Sequence, residues 1–284
     1  LYLSVKGQSK GKLFFSHAKR NVSYVVACLG SRPLDCYSSA DAAASRQWLS
    51  NKRLGNTSVV RVFSVVKAIV NFCIKELGLN CKNAFLGIYL PSEKNKKRHP
   101  IKDIKLKKLQ KECVLLDDDI RWLVALISDT GMRLSEAVGL LADDIVLDEE
   151  QPHINLTKHP HRRLKTDASE RIIPLVGSSL WAAKRIKINA ANKFCFSRYC
   201  SEDNCNSNSA SAAINKWIKT IVGPDAAVHG LRHSFRDRLR ALEAPVDMID
   251  QLSGWSLKSV GQNYGDGYPL DLLHQWMGKM VIRE

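Results

Sequence analysis

The stretch Asp129-Thr130-Gly131-Met132-Arg133-Leu134-Ser135-Glu136 sets an arginine just after a glycine turn, where a helix begins. Free backbone N–H groups and the helix dipole favour an anion at such a place. Arg133 adds a planar fork of donors that pairs with two phosphate oxygens at once. By itself an arginine at a helix start is an ordinary surface residue. A second group, His229-Gly230-Leu231-Arg232-His233-Ser234-Phe235, holds His229 and Arg232 three residues apart, on one face of a helix or helix entry. A histidine and an arginine so spaced can share one phosphate, the arginine by charge and the histidine by hydrogen bond or proton transfer. His233, adjacent to Arg232, points elsewhere and reads as a buried, hydrogen-bonded histidine that supports the others.

A third group, Leu252-Ser253-Gly254-Trp255-Ser256-Leu257, is followed nine residues after Trp255 by a tyrosine, in Gln262-Asn263-Tyr264-Gly265-Asp266. The order TGMRLSE, HGLRH, LSGW and then a tyrosine resembles the signature of the tyrosine recombinases, the phage integrase family. The resemblance covers roughly residues 105–284, and the basic helical part ahead of it is similar to that family's core-binding domain. It implies that Tyr264 is the nucleophile and that Arg133 and Arg232 hold the non-bridging oxygens of a DNA phosphate. His229 matches the family's histidine, a general base or phosphate ligand. Trp255 stands where many members carry histidine; its indole N–H donates a hydrogen bond but cannot shuttle protons, so a positioning or packing role is implied. Lys165, in RRLKTDASERIIPL, matches a lysine on a β-hairpin that protonates the leaving 5′-oxygen, with Lys158 its rival seven residues earlier. Glu136 matches a carboxylate that braces the site. Tyr268, followed by Pro269, is read as a packing residue.

This inventory is chemically coherent. A free tyrosine has a pKa near 10, so its phenol is a poor nucleophile at neutral pH unless a base or nearby cations favour the phenolate. Two arginines, a lysine and a histidine supply that field and stabilise charge developing at phosphorus. The implied product is a 3′-phosphotyrosyl link with a free 5′-hydroxyl. The bond energy is conserved, and no metal, ATP or other cofactor is expected.

The elements that must position these residues are legible in outline. The chain is long enough for two domains, at 284 residues with 45% hydrophobic and 25% charged residues. Its net charge of +15 is uneven: residues 1–104 carry 18 Lys+Arg against 5 Asp+Glu, and residues 105–284 carry 25 against 23. Clustered cations that release counterions from phosphates make nucleic acid the expected partner. The pattern predicts a mainly α fold with a small antiparallel β-sheet (α+β). Residues 1–93 form a helical, basic core-binding domain, 94–104 a linker, and 105–284 the catalytic domain with a C-terminal helix. The opening stretch to about Cys36 is poorly determined. Ser38 to Asp41 starts one helix, and Asn56 or Thr57 starts a longer one that Gly78 ends. The strap Pro91–Pro100 is polar throughout and strongly positive, and Lys94, Lys96, Lys97 and Arg98 are candidate DNA contacts. Ile154–Leu156, Arg162–Lys165 and Arg171–Leu175 read as strands of the sheet.

Cys195, Cys200 and Cys205 are evenly spaced but lack the CxxC spacing of a structural zinc site, even with His159 and His161 imagined beside them, and read as unpaired thiols in a polar loop. No apolar run approaches the roughly 18–20 residues of a membrane helix, and no leader is evident at Leu1. A cytoplasmic, nucleoid-associated bacterial or phage protein is expected. The apolar stripe Leu273, Trp276, Met277 and Met280 either folds onto its own domain or, as the resemblance implies, docks into a neighbour within a homotetramer on double-stranded DNA that carries specific recombination sites. Accessory DNA-bending proteins are further possible partners. Two alternatives stay open: a type IB topoisomerase-like enzyme that relaxes DNA by the same chemistry, and a non-catalytic DNA-binding regulator.

Overall fold

Apolar residues at three- and four-residue steps fold the start of the chain into four helices: α1 (Tyr2–Lys6), α2 (Lys12–Leu29), α3 (Ser39–Asn51) and α4 (Asn56–Glu76). The opening stretch, which the sequence left undetermined, is therefore helical. Ser38 caps α3: its hydroxyl accepts from the Asp41 N–H while the Asp41 carboxylate accepts from the Ser38 N–H, so two orphan donors are satisfied reciprocally. Val25 of α2, Ala42 and Leu49 of α3, and Val59, Val62, Phe63, Val66 and Val70 of α4 close the core with Phe85. By length and hydropathy α4 passes as a membrane span, which Arg61, Lys67 and Lys75 hide from a search for unbroken apolar runs. Its buried stripe marks it as the core helix of this unit.

The computed structural model describes residues 1–90, 99–255 and 267–282. The chain divides into two units, Leu1–Lys96 and Lys97–Glu284. In the second, α5 (Asp103–Leu116), α6 (Asp119–Thr130) and the short α7 (Leu134–Val138) precede a three-stranded sheet. Then come α8 (Gly177–Asn189), α9 (Ser207–Val222), α10 (Val228–Ala241), α11 (Val246–Ser253) and α12 (Leu270–Lys279). Asp118 caps α6 through the Arg121 N–H. Every residue from Leu123 to Thr130 is buried, which makes α6 the hub against which α5, α8 and α10 pack.

The sheet runs β1 (Ile145–Val146), β2 (His153–Leu156), β3 (Arg171–Pro174), antiparallel throughout, with Ile154 opposite Ile173 and Leu156 opposite Arg171. One expected strand is absent: Arg162–Lys165 lies in the irregular connection between β2 and β3. Arg162 makes only an isolated antiparallel bridge to His159, and its buried guanidinium donates to the carbonyls of Thr157 (2.6 Å) and Gly139 (3.1 Å) and to Asp144 Oδ2 (3.0 Å), partners that lie outside the sheet.

Candidate active site

The site grows from the end of α6. Gly131 takes a left-handed conformation (φ 60°), and a Cβ there would sit 2.4 Å from the Phe235 ring, so the turn demands glycine. It delivers Arg133 to the start of α7. The sequence suggested an open anion site at this helix start; instead the Glu136 carboxylate occupies it, accepting from the Arg133 N–H (2.9 Å) and from Arg133 Nη1 (2.5 Å). Glu136 Oε2 also accepts from Nη2 of Arg171 on β3 (3.1 Å).

Three arginines then converge on the end of α11. Arg171 Nε donates to the Leu252 carbonyl (2.8 Å), Arg232 Nη2 to that of Ser253 (2.5 Å) and Arg133 Nη2 to that of Gly254 (3.1 Å). These are carbonyls left open at a helix C-terminus, the negative end of its dipole. Gly254 is left-handed (φ 62°), and a Cβ there would lie 2.6 Å from Arg171 Nη1. The LSG box is thus the socket for all three side chains. Arg232, on α10, also donates to the Gly131 carbonyl (2.5 Å), closing the ring back to the turn after α6. The Trp255 ring lies against two cations, with Arg232 at 4.9 Å and Arg236 at 4.3 Å from its centroid.

Charge in this cluster is unbalanced. Among the described residues Glu136 is the one carboxylate paired with these three arginines, and it is shared by Arg133 and Arg171. Burial pushes the Glu136 carboxyl up, but Arg171 and the hydrogen bonds from Arg133 outweigh it and hold the group below the usual carboxylate range. Burial lowers the Arg171 pKa, partly offset by Glu136. Among the described residues Arg232 has no carboxylate partner at hydrogen-bond range; burial, then repulsion from Arg133 and Arg171, push its pKa down to about 9. An arriving anion relieves that repulsion.

His229 and Arg232 line one small cavity of about 160 Å³ together with Ser211 and Val228. The start of α10 is held from α9: the Val228 N–H donates to Asn215 Oδ1 (2.8 Å), and Asn215 Nδ2 donates to Ser211 Oγ (3.0 Å). His229 is exposed. His233 is half-buried rather than buried, and its ring meets that of His229 edge-on at 4.9 Å, because four residues along a helix return to the same face.

Lys165 is exposed on the connection between β2 and β3 and, among the described residues, makes no ion pair or hydrogen bond. Its neighbourhood is nevertheless tied to the cluster: Ser169 Oγ accepts from Arg133 Nη1 (3.1 Å) and from the Thr166 N–H (3.3 Å). Lys158, by contrast, is held by Asp167 (2.9 Å) and Glu170 (3.1 Å), and those bonds raise its pKa. The Tyr268 hydroxyl donates to Asp247 (3.0 Å), and burial and that carboxylate raise its pKa. Tyr264 lies outside the described residues, as do Lys94, Lys96, Lys97 and Arg98.

Arg171 was missed by sequence reasoning. Its signal is the period-two pattern of β3, in which exposed Ile172 separates Arg171 from buried Ile173 and so puts a charge on the inward face. Among the described residues no three His, Cys, Asp or Glu side chains are arranged to hold a metal. His159 pairs with Asp144 (2.8 Å), and His161 hydrogen-bonds the Gly139 carbonyl (3.0 Å). The stripe on α12 packs into its own unit, with Leu273, Met277 and Met280 buried.

No curated protein sequence matches the chain. Solved structures do match in fold. One is the integrase of transposon Tn1549 in complex with transposon right end DNA, at 17% identity and a TM-score of 0.67 over 97% of this chain and 96% of that one. Another is a lambda integrase tetramer bound to a Holliday junction, at 14% identity and 0.66 over 93% and 75%. The phage integrase family model matches residues 103–269, the stretch that holds all three boxes and the tyrosine after them. The chain therefore belongs to the phage integrase family, the tyrosine-type site-specific recombinases.

Proposed function

We propose that this protein cuts and rejoins DNA at specific recombination sites through a 3′-phosphotyrosyl intermediate on Tyr264. The observation that carries the reading is the convergence of Arg133, Arg171 and Arg232 on three successive carbonyls with a single carboxylate among them. The excess positive charge of such a cluster suits an anion of the charge and size of a DNA phosphate. Arg232 has N–H groups beyond the two already bonded, and it lines the cavity beside His229. Arg133 and Arg232 take the non-bridging oxygens and stabilise the charge that builds on them as the phosphorus becomes five-coordinate.

The Tyr264 phenol attacks, and His229, backed by His233, accepts or shares its proton. The 5′-oxygen leaves with a proton from Lys165, whose ammonium no carboxylate claims; Lys158 is committed to Asp167 and Glu170. Attack of a 5′-hydroxyl on the phosphotyrosine reverses the steps and reseals a strand. Trp255 packs the two arginines rather than moving protons. The positive charge comes from side chains, so the scheme uses neither metal nor ATP.

In this reading residues 1–93 clamp double-stranded DNA, with the basic residues Lys94, Lys96, Lys97 and Arg98 on its backbone, and residues 105–284 carry the chemistry. Assembly as a tetramer has its precedent in lambda integrase on a Holliday junction. Exchange of α12 between subunits would require Leu273, Met277 and Met280 to leave their own core for an equivalent groove on a neighbour. A nicked suicide substrate tests the proposal. The full chain should form a covalent DNA adduct, Tyr264→Phe should form none while still binding DNA, and Tyr268→Phe should behave as the parent. An adduct with Tyr264→Phe overturns the assignment. Recovery of joined products from two separate sites, rather than relaxation alone, marks recombination.

A further inference from the structure

Cys200 and Cys205, which the strand-exchange chemistry does not use, face one another just ahead of α9. The Asn206 N–H donates to the Tyr199 carbonyl (2.8 Å) on one side of the pair. On the other, Ser201 and Asn204 exchange backbone bonds of 2.9 and 3.4 Å around the turn at Glu202-Asp203. The two cysteines are therefore the non-hydrogen-bonded pair of a two-residue hairpin. At such a site Cα atoms lie about 4.5 Å apart with both side chains on one face. A disulfide spans Cα separations of about 4.4–6.8 Å. Both thiols are free in this structure, Cys200 buried and Cys205 half-buried. The sequence reads these as unpaired thiols in a polar loop, and they are free thiols here; the structure adds that two of them face one another.

We propose that Cys200 and Cys205 form a modification site at which a hydroperoxide closes a disulfide, with Cys205 as the sulfur that attacks the oxidant. Cys205, half-buried, is more open to an oxidant than the buried Cys200, and the neighbouring Cys200 thiol and then the charge of Arg162 favour its thiolate. Cys195 is no competitor, since burial pushes its thiol up to about 12. In the first step the Cys205 sulfur attacks the peroxide O–O bond, giving a sulfenic acid and releasing water, or an alcohol from an alkyl hydroperoxide. In the second, the Cys200 sulfur displaces the sulfenic hydroxyl and its proton leaves with it as water. Two thiols are oxidised by two electrons, and one hydroperoxide is reduced.

The test is titration of the full chain with hydrogen peroxide, alkylation and trypsin digestion. The peptide 199–216 holds both cysteines and should become lighter by two hydrogens, resist alkylation and recover both thiols with dithiothreitol. Cys205→Ser should abolish that species. Cys200→Ser should leave Cys205 trappable by dimedone as the sulfenic acid. The proposal is overturned if both cysteines of this peptide still alkylate fully after the exposed Cys36 has been oxidised, or if either is recovered linked to another cysteine instead.

Discussion

Arg133 precedes α7 and Arg232 lies on α10, yet they donate to the adjacent carbonyls of Gly254 and Ser253. The turn between α11 and Trp255 thereby sets the distance between two guanidinium groups that no local segment of chain connects. In the proposed mechanism both groups hold one phosphate, so this turn would set the spacing of the phosphate ligands.

Removing either arginine should cost chemistry rather than binding. For Arg232→Ala, single-turnover cleavage of a suicide substrate is expected to fall about 10²–10³-fold, the usual loss for one preorganised oxyanion donor. DNA affinity should change little, because most of it comes from other phosphate contacts. Arg232→Lys should resemble the alanine variant, since one ammonium cannot reach both the Gly131 and Ser253 carbonyls. Near-normal cleavage by the lysine variant would count against the bidentate geometry.

Arg171 ties Glu136 to the end of α11, so its loss leaves a buried carboxylate with Arg133 as its remaining cation. Arg171→Met should destabilise the second unit by about 3–5 kcal/mol, the range for breaking one side of a buried ion pair. The double variant Arg171→Met/Glu136→Gln should be less destabilised than the single one, because the orphaned charge is gone. Urea unfolding of the four proteins of this cycle measures the coupling, and strict additivity would refute it.

Glu136 also makes stability depend on pH in a defined direction. Its pKa is depressed in the folded protein relative to the unfolded chain. The folded state is therefore favoured above the unfolded carboxyl pKa of about 4.3, and that contribution fades as pH falls through the lower folded value. Unfolding midpoints of the parent should drop as pH falls below about 4.3, while Glu136→Gln, already weaker at pH 7, should show a shallower slope. Parallel curves would mean that Glu136 is not depressed.

If Lys165 is the acid, its removal should matter only when the leaving group needs a proton. Lys165→Ala should slow cleavage of an ordinary phosphodiester about 10²–10³-fold. A 5′-bridging phosphorothiolate should restore the rate, because a thiolate departs unprotonated near its pKa of about 8.5. Lys158→Ala should leave both rates close to the parent's, as its ammonium is paired with Asp167 and Glu170. A thiolate rescue seen with Lys158→Ala instead would reverse the assignment.

What the amino-acid sequence determined by itself was whatever depends on neighbours along the chain. The cap at Ser38, the break at Gly131, the helix carrying His229 and Arg232 three apart and the LSGW box are all set within a few residues, so their pattern is legible before folding. The mainly helical architecture with a small antiparallel sheet follows from the same local periods. Only the tertiary structure decided what depends on distant partners. Arg171 meets Glu136 and the Leu252 carbonyl, 35 and 81 residues away. Arg162 abandons an alternating pattern because its buried guanidinium finds Gly139, Asp144 and Thr157. The facing of Cys200 and Cys205 comes from a turn whose backbone bonds no spacing rule announces. A buried charge has to be satisfied wherever the fold puts its partner, and that location is a property of the packed chain, not of the residues beside it.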